Sequence, residues 1–389
     1  MKLSQLLSLV TLTLVCARLS AATPVYSVIE VNTPGNLAEA SGINDNGDIV
    51  GEFELPGPGN TVVLHAFVYH HASGSVVDLD AAADSQSDAF SINDSGTIIG
   101  EISGGQSKPQ GPVAWLANGG VQPLAGPYPN GTGLAVTANG ISNTGVIVGQ
   151  GYINDVAGNR AVIYKNGTIA NLGTLGGTWS IAGGIGSQGI YIAGTSELRG
   201  ANPTTGRPAH AFLYRNGTRT DFGALPGGDY STAMGVNNNG EVVGYSEIGQ
   251  SGSCTPNRVN PPINHAFFTL NGKITDLGNL PNSTNCSSWA RAINDTGEIV
   301  GWSDAIASFP GGIDQVERAF LYSGGQLLSL TFLDWGDPAW GFVKFYDAVG
   351  INCNGWIAAN GYDTRNPNVF RVYLLIPKGP SRPQCPRPQ

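Results

Sequence analysis

One phrase recurs seven times along this chain of 389 residues: SGINDNGDIVG, FSINDSGTIIG, NGISNTGVIVG, GGIGSQGIYIAG, MGVNNNGEVVG, RAINDTGEIVG and VGINCNGWIAA. Its turn glycines are Gly47, Gly96, Gly145, Gly189, Gly240, Gly297 and Gly355. They set a period of about 50 residues, within the range of propeller blades. Length cannot divide such a chain into domains, because repeat folds grow by adding units around one centre. Within the phrase, Asn-Asp-x-Gly supplies residues that tolerate positive φ and bond their own backbone. The flanking Ile and Val alternate as half-buried strands do.

A second phrase follows each of the first six copies: HAFVYHHASGSVVDLD from His65, AWLANGGVQPL from Ala114, RAVIYKNGTIANLG from Arg160, HAFLYRNGTRTDFG from His210, HAFFTLNGKITDLG from His265 and RAFLYSGGQLLSL from Arg318. Each is again two strands around an Asn-Gly or Gly-Gly turn, so a repeat holds four strands, a to d. Strands a, b and c occur seven times but d only six, since the last c strand, FRVYLLIP, has no partner after it. YSVIEV, Tyr26 to Val31, supplies the missing d. The expectation is an all-β, seven-bladed β-propeller of four-stranded blades, closed by the N-terminal strand, because such pairing leaves no unpaired partial blade.

The a strands carry Ala40, Ala89, Ala138, Ala182, Ala233, Ala290 and Ala348, with Gly42, Ser91, Gly140, Gly184, Gly235, Ala292 and Gly350 two residues later. Residues two apart share a face of a regular strand, so one face of each a strand is expected to hold only small side chains, as strands converging on a channel require.

The repeat resembles the HAF family of extracellular repeats, through His65-Ala66-Phe67, His210-Ala211-Phe212 and His265-Ala266-Phe267. Pro112, Arg160, Arg318 and Arg371 stand at the His place in the other copies. The resemblance implies a secreted, mainly bacterial repeat protein and transfers no catalytic residue. The N-terminus agrees on location: one Lys, an apolar run from Leu6 to Ala17 and the small residues Ser20-Ala21-Ala22 have the layout of a cleaved leader. A lipid anchor through Cys16 is the poorer reading, because Val15 precedes it where small residues are usual. The expected organisation is a signal peptide over 1–22, the propeller over 25–377 and a Pro-rich tail over 378–389, in a secreted protein that is extracellular or periplasmic. No later stretch reaches the roughly 20 apolar residues of a spanning helix, so no membrane span is expected. Net charge is -9, and an acidic surface disfavours nucleic acid.

Because His65, His210 and His265 share their place with Arg, they read as structural donors within a blade rather than metal ligands. Asn44-Asp45-Asn46-Gly47-Asp48 lacks the twelfth-position Glu of an EF-hand and reads as a turn. No metal or other cofactor is expected. The a-to-b and c-to-d turns are short and share one rim. The b-to-c and d-to-a connections share the other and vary, as at 55–60, 103–110, 197–208, 249–263 and 304–316. Binding concentrates on variable loops held by a rigid frame. Trp179, Tyr230 and Trp289 precede a strands on that rim, and the longest d-to-a segment adds Trp335, Trp340 and Tyr346 beside Asp334, Asp337 and Asp347. Flat aromatic rings next to carboxylates suit sugars, while packing between blades is the alternative for each ring. Cys254 and Cys286 fall on the long-connection rim and Cys353 and Cys385 on the opposite one, which predicts two same-face disulfides.

The functional expectation is a binding scaffold for an extracellular polymer or protein, glycan among the candidates, without catalysis. A carbohydrate-active hydrolase or lyase with an acidic site at the channel mouth is the alternative. A structural or cell-envelope interaction module is the third.

Overall fold

The structure is a computed structural model that describes residues 25–379 apart from 58, 60, 81–84, 105–110, 129–130, 153–157, 203, 252–261, 282, 284–285, 310–311 and 333–337. Seven antiparallel sheets, each running a-b-c-d in order, form the blades of a propeller. In blade 1 the strands are Ala38–Ile43, Ile49–Pro56, Val62–His70 and Ser75–Asp78. Blade 3 gains a fifth strand, Ala125–Tyr128, which pairs with the extended start of its a strand. In blade 7 the order is Val343–Ile351, Ile357–Asp363, Phe370–Lys378 and then Val25–Val31, so the N-terminal strand is the outermost one. Its register runs from Val25 opposite Lys378 to Val31 opposite Val372. Tyr26 packs with the core shared by blades 6 and 7, and Val31 with the core shared by blades 7 and 1. The closing strand is thus buried against both neighbours.

The cores lie between blades. The c-strand motif explains how: Ala66 faces the core shared with blade 2, and Phe67 faces the core shared with blade 7. Ala266 and Phe267 divide between blades 6 and 4 in the same way. Burying these rings provides most of the cohesion between sheets. Hydrogen bonds add direction to it. The backbone N–H groups of Ala66, Ala161, Ala211 and Ala266 donate to the hydroxyls of Ser87, Ser180, Ser231 and Ser288 on the next blade, at 2.8–2.9 Å.

The a strands depart from simple alternation. Each carries a β-bulge between its Ala and the small residue two places later, so that Ala40 pairs with Gly51 but Gly42 pairs with Val50. The same shift recurs in all seven blades. Gly51 and Val50 are adjacent, so Ala40 and Gly42 lie on opposite faces, contrary to the expectation of one shared face. The extra residue in the bulge breaks the period of two. Ala40 packs toward blade 7, whereas a Cβ on Gly42 would meet the Phe90 carbonyl of blade 2 at 3.1 Å. The second small residue therefore permits close approach of the next a strand.

In five of the seven blades the turn opens on an Asn that does more than shape it. Asn44 Nδ2 donates to the Asn93 carbonyl, Asn93 to Ser142, Asn237 to Asn294, Asn294 to Asn352, and Asn352 back to Asn44, at 3.0–3.3 Å. This belt ties blades on the short-turn rim. Blades 3 and 4 have Ser142 and Gly186 at this place, and the backbone N–H of Asn143 donates to the Ser187 carbonyl instead. Among the described residues no helix is long and apolar enough to cross a membrane.

Candidate ligand-binding site at the channel mouth

The bulged residues Ser41, Phe90, Asn139, Gly183, Met234, Arg291 and Val349 line a central cavity of about 270 Å³ that reaches down to the Asn turns. On the short-turn rim it meets Asp45, Asp94 and Asp295, where burial, Asp94 and Asp295 outweigh the Cys353 N–H bond and push Asp45 up to about 6.

Toward the long-connection rim, one layer of the a strands lies immediately before the repeated Ala, and its partners on the b strands lie immediately after the repeated Gly. The pairs are Glu39–Glu52, Asp88–Glu101, Thr137–Gln150, Ile181–Thr195, Thr232–Tyr245, Trp289–Trp302 and Asp347–Asn360. The scaffold repeats, but this layer does not. It has an aromatic side and a carboxylate side.

On blades 5 and 6, Tyr245 stacks on Trp289 with centroids 4.1 Å apart and planes 11° apart, and Trp302 lies 5.2 Å beyond Trp289. Tyr230 approaches Tyr245 at 6.3 Å, with the Arg207 guanidinium 4.8 Å over its ring. Arg207 also clamps Glu247, a contact that keeps the guanidinium charged. Arg291 lies 5.9 Å over Trp289 and donates to Asp347 Oδ2 at 2.9 Å, which joins the aromatic side to blade 7. Tyr346, an extra residue bulged out of the blade 7 a strand, donates to Glu39 Oε1 at 3.0 Å. A continuous path of contacts therefore runs from Trp302 to Glu39.

On the carboxylate side, burial together with Glu52, Glu39 and Glu101 pushes Asp88 up to about 7. Burial and Glu39 also raise Glu52. Burial raises Asp347 in spite of Arg291, and burial with Asp304 and Asp347 raises Glu317. Thr195 Oγ1, Trp289 Nε1 and Arg291 Nε are buried with no hydrogen-bond partner, while the Asp88 and Asp347 carboxyls each accept from the next backbone N–H, of Ala89 and Ala348. Trp289 and Thr195 belong to the layer, and Arg291 lies two residues beyond Trp289 at the bulge. Buried polar groups are ordinarily satisfied by protein, water or ligand, and this concentration singles out the mouth.

Of the residues expected to bind ligand, the structure brings Tyr230 and Trp289 together and places Tyr346 on the carboxylate side. Trp179 is half-buried within the a strand of blade 4. Trp340, in a 3-10 turn over Pro338–Phe342, packs edge-on against Tyr373 at 6.1 Å. Trp335, Asp334 and Asp337 lie outside the described residues, as do Cys254 and Cys385. The 304–316 connection is an extended hairpin whose strands stay paired to Phe309–Gly312. Sequence reasoning missed Tyr245, Trp302, Arg291, Glu39, Glu52, Asp88 and Glu101, but it names Asp347 among the carboxylates of the longest d-to-a segment. The motif histidines bond carboxylates of the neighbouring d strand: His65 to Asp78, His210 to Asp221 and His265 to Asp276, each at 2.9 Å.

The model of an uncharacterised family, protein of unknown function DUF3466, matches residues 226–330. That stretch spans blades 5 and 6 and so carries the aromatic side of the mouth. No curated protein sequence matches the chain. Among solved structures, the chain is similar to the β-propeller domain of the Trilobed protease from Pyrococcus furiosus, described as having an open velcro topology. The identity is 9%, the match covers 89% of this chain and 99% of that one, and the TM-score is 0.52. This likeness is one of fold. The acylaminoacyl peptidase of Pyrococcus horikoshii matches at 8% identity over 90% of this chain and 54% of its own, with a TM-score of 0.46.

Proposed function

We propose that this protein is a secreted binding scaffold whose ligand is an extracellular glycan, held at the long-connection mouth of the channel without being turned over. The observation that carries this reading is the uneven composition of the mouth: Trp289 Nε1 and Arg291 Nε are buried donors without a partner beside the stacked rings of blades 5 and 6, and the carboxyls of Asp347 and Asp88 stand on blades 7 and 2. Sugar hydroxyls both donate and accept, and sugar rings present apolar faces to aromatic side chains. A rigid frame with a variable mouth is also the usual arrangement for recognition. The leader over residues 1–22 and membership of the HAF repeats belong to this proposal. So do the disulfides Cys254–Cys286 and Cys353–Cys385. In their support, Cys286 and Cys353 are disulfide-bonded, and they occupy opposite rims.

One observation favours a second reading, a glycoside hydrolase or lyase: Asp88 is held near 7 next to Glu52, and paired carboxyls with separated pKa values serve acid–base chemistry. A glycan array and a panel of chromogenic glycosides, run on the mature protein, separate the two. Selective binding that W289A abolishes, without turnover, is the expected result. Turnover that D88N abolishes would replace the scaffold reading with the enzyme.

A further inference from the structure

We propose a second ligand site on the short-turn rim, where the cleft between blades 4 and 5 takes an acidic sugar, a uronate-bearing oligosaccharide. This site is separate from the mouth, and the two readings stand or fall independently.

The cleft has a volume of about 750 Å³, within the range of small-ligand pockets. It is open because the c-to-d turn of blade 5 is short. Between blades 7 and 1 the corresponding crevice is closed by His71, which comes from a four-residue turn and packs edge-on against Trp356 with centroids 4.8 Å apart. Blade 5 turns on Asn271-Gly272 alone, since Leu270 pairs directly with Lys273, so nothing corresponds to His71. Tyr191 holds the place of Trp356 and lies against the blade 5 turn, where a Cβ on Gly240 would meet its ring at 2.9 Å. With Leu213 and Phe222, both half-buried, it forms an apolar floor.

Charge is the second observation. In a chain of net charge -9, the c-to-d turns of blades 3, 4 and 5 carry Lys165, Arg215 with Arg219, and Lys273, and no Asp or Glu. The corresponding turns of blades 1, 2 and 6 hold no Lys or Arg, so the cations gather around this cleft. Arg219 turns away and donates to the Leu172 carbonyl of blade 3. Arg215 lines the cleft with its guanidinium 5.0 Å over the Tyr191 ring. Among the described residues neither Arg215 nor Lys273 has a carboxylate partner, whereas Arg207, His210 and His265 on the same two blades each have one. Glu241, the one carboxyl that lines the cleft, accepts from Asn237 Nδ2.

A guanidinium without a carboxylate offers the paired N–H donors that match one. Around it, Asn216, Thr218, Thr220 and Asn271 are exposed groups that both donate and accept, as sugar hydroxyls do, and the floor suits the apolar face of a pyranose. A uronate combines these three features in one ring.

The test is calorimetric titration of residues 25–389 with galacturonate oligomers, galactose oligomers of equal length and glutamate oligomers of equal charge. Galacturonate oligomers are expected to bind at least about tenfold more tightly than the other two. R215Q should reduce that preference over galactose to about twofold, and T220W, which fills the cleft from an exposed strand without changing its charge, should weaken galacturonate binding at least about tenfold. Unchanged thermal midpoints would show that both variants fold. Equal binding of galacturonate and galactose oligomers, or an undiminished preference in R215Q, refutes the selection by Arg215. Binding that W289A abolishes and T220W leaves intact would place the acidic sugar at the mouth and refute the cleft. Glutamate oligomers binding as tightly as galacturonate would make this an acidic-peptide site and refute the sugar, and no binding of galacturonate refutes the site altogether.

Discussion

Replacing Arg291 with Met isolates the contact that joins the two sides of the mouth. Arg291 donates to Asp347 at 2.9 Å, with the arginine side chain 31% exposed and the aspartate side chain 11% exposed. Removing one partner of a fully buried pair costs about 3–5 kcal/mol, because the other charge is left uncompensated. Partial exposure of the arginine reduces that to about 2–3 kcal/mol. At about 2.1 cal/mol/K of unfolding entropy per residue, a propeller of this size loses about 3–4 °C in Tm. Burial already raises the Asp347 carboxyl and Arg291 counters it. Without Arg291 its folded pKa moves further up. A raised carboxyl favours the folded state below its unfolded pKa, and that advantage is lost as pH rises through the folded value. The R291M deficit in urea unfolding should therefore be larger at about pH 8 than at about pH 5. Asp347→Asn added to R291M should recover part of it. A deficit equal at both pH values, together with additive effects in the double variant, would refute the assignment of Arg291 as the counter-charge of Asp347.

The bulged a strands predict which glycines resist change. A Cβ at Gly244 would lie 1.8 Å from the Thr232 carbonyl oxygen, so G244A should destabilise by about 2–3 kcal/mol in thermal unfolding. G341A, where a Cβ meets nothing within 4 Å, should stay within about 0.5 kcal/mol. Asp88 and Asp45 are pushed up to about 7 and about 6, so the folded state takes up protons before the unfolded one does, and the urea midpoint should rise as pH falls from about 8 to about 5. D88N should flatten that rise; an unchanged slope in D88N would remove Asp88 from the explanation.

The architecture was legible because the chain can be compared with itself. Counting strands left one d strand short in the last repeat and one strand spare at Tyr26–Val31, and closure follows from that deficit. The bulges were not legible, since alternation assigns Ala40 and Gly42 to one face and only the ladder reveals Ser41 as the inserted residue. The site was half visible. Aromatic residues on the long-connection side directed attention to Tyr230 and Trp289, but Tyr245, Trp302 and Arg291 lie inside strands that read as scaffold. A signal for them did exist. The positions flanking the repeated Ala and Gly change from Glu to Thr to Trp to Asp while their neighbours hold constant. The sequence thus varies along a column of the repeat as well as in its loops. What no single-chain pattern carries is the contact between blades, such as Tyr346 with Glu39, because it depends on closing the ring.

Ligand binding is proposed at the mouth layer, between the aromatic stack of blades 5 and 6 and the carboxyls of blades 1, 2 and 7. A crystal structure of residues 25–389 with a bound neutral oligosaccharide tests this most directly. A sugar ring is expected at the long-connection mouth, in contact with Trp289 and with its hydroxyls hydrogen-bonded to Asp88 or Asp347. An oligomer bound instead at the short-turn rim, or along the outer edges of the blades with the mouth layer untouched, would contradict it.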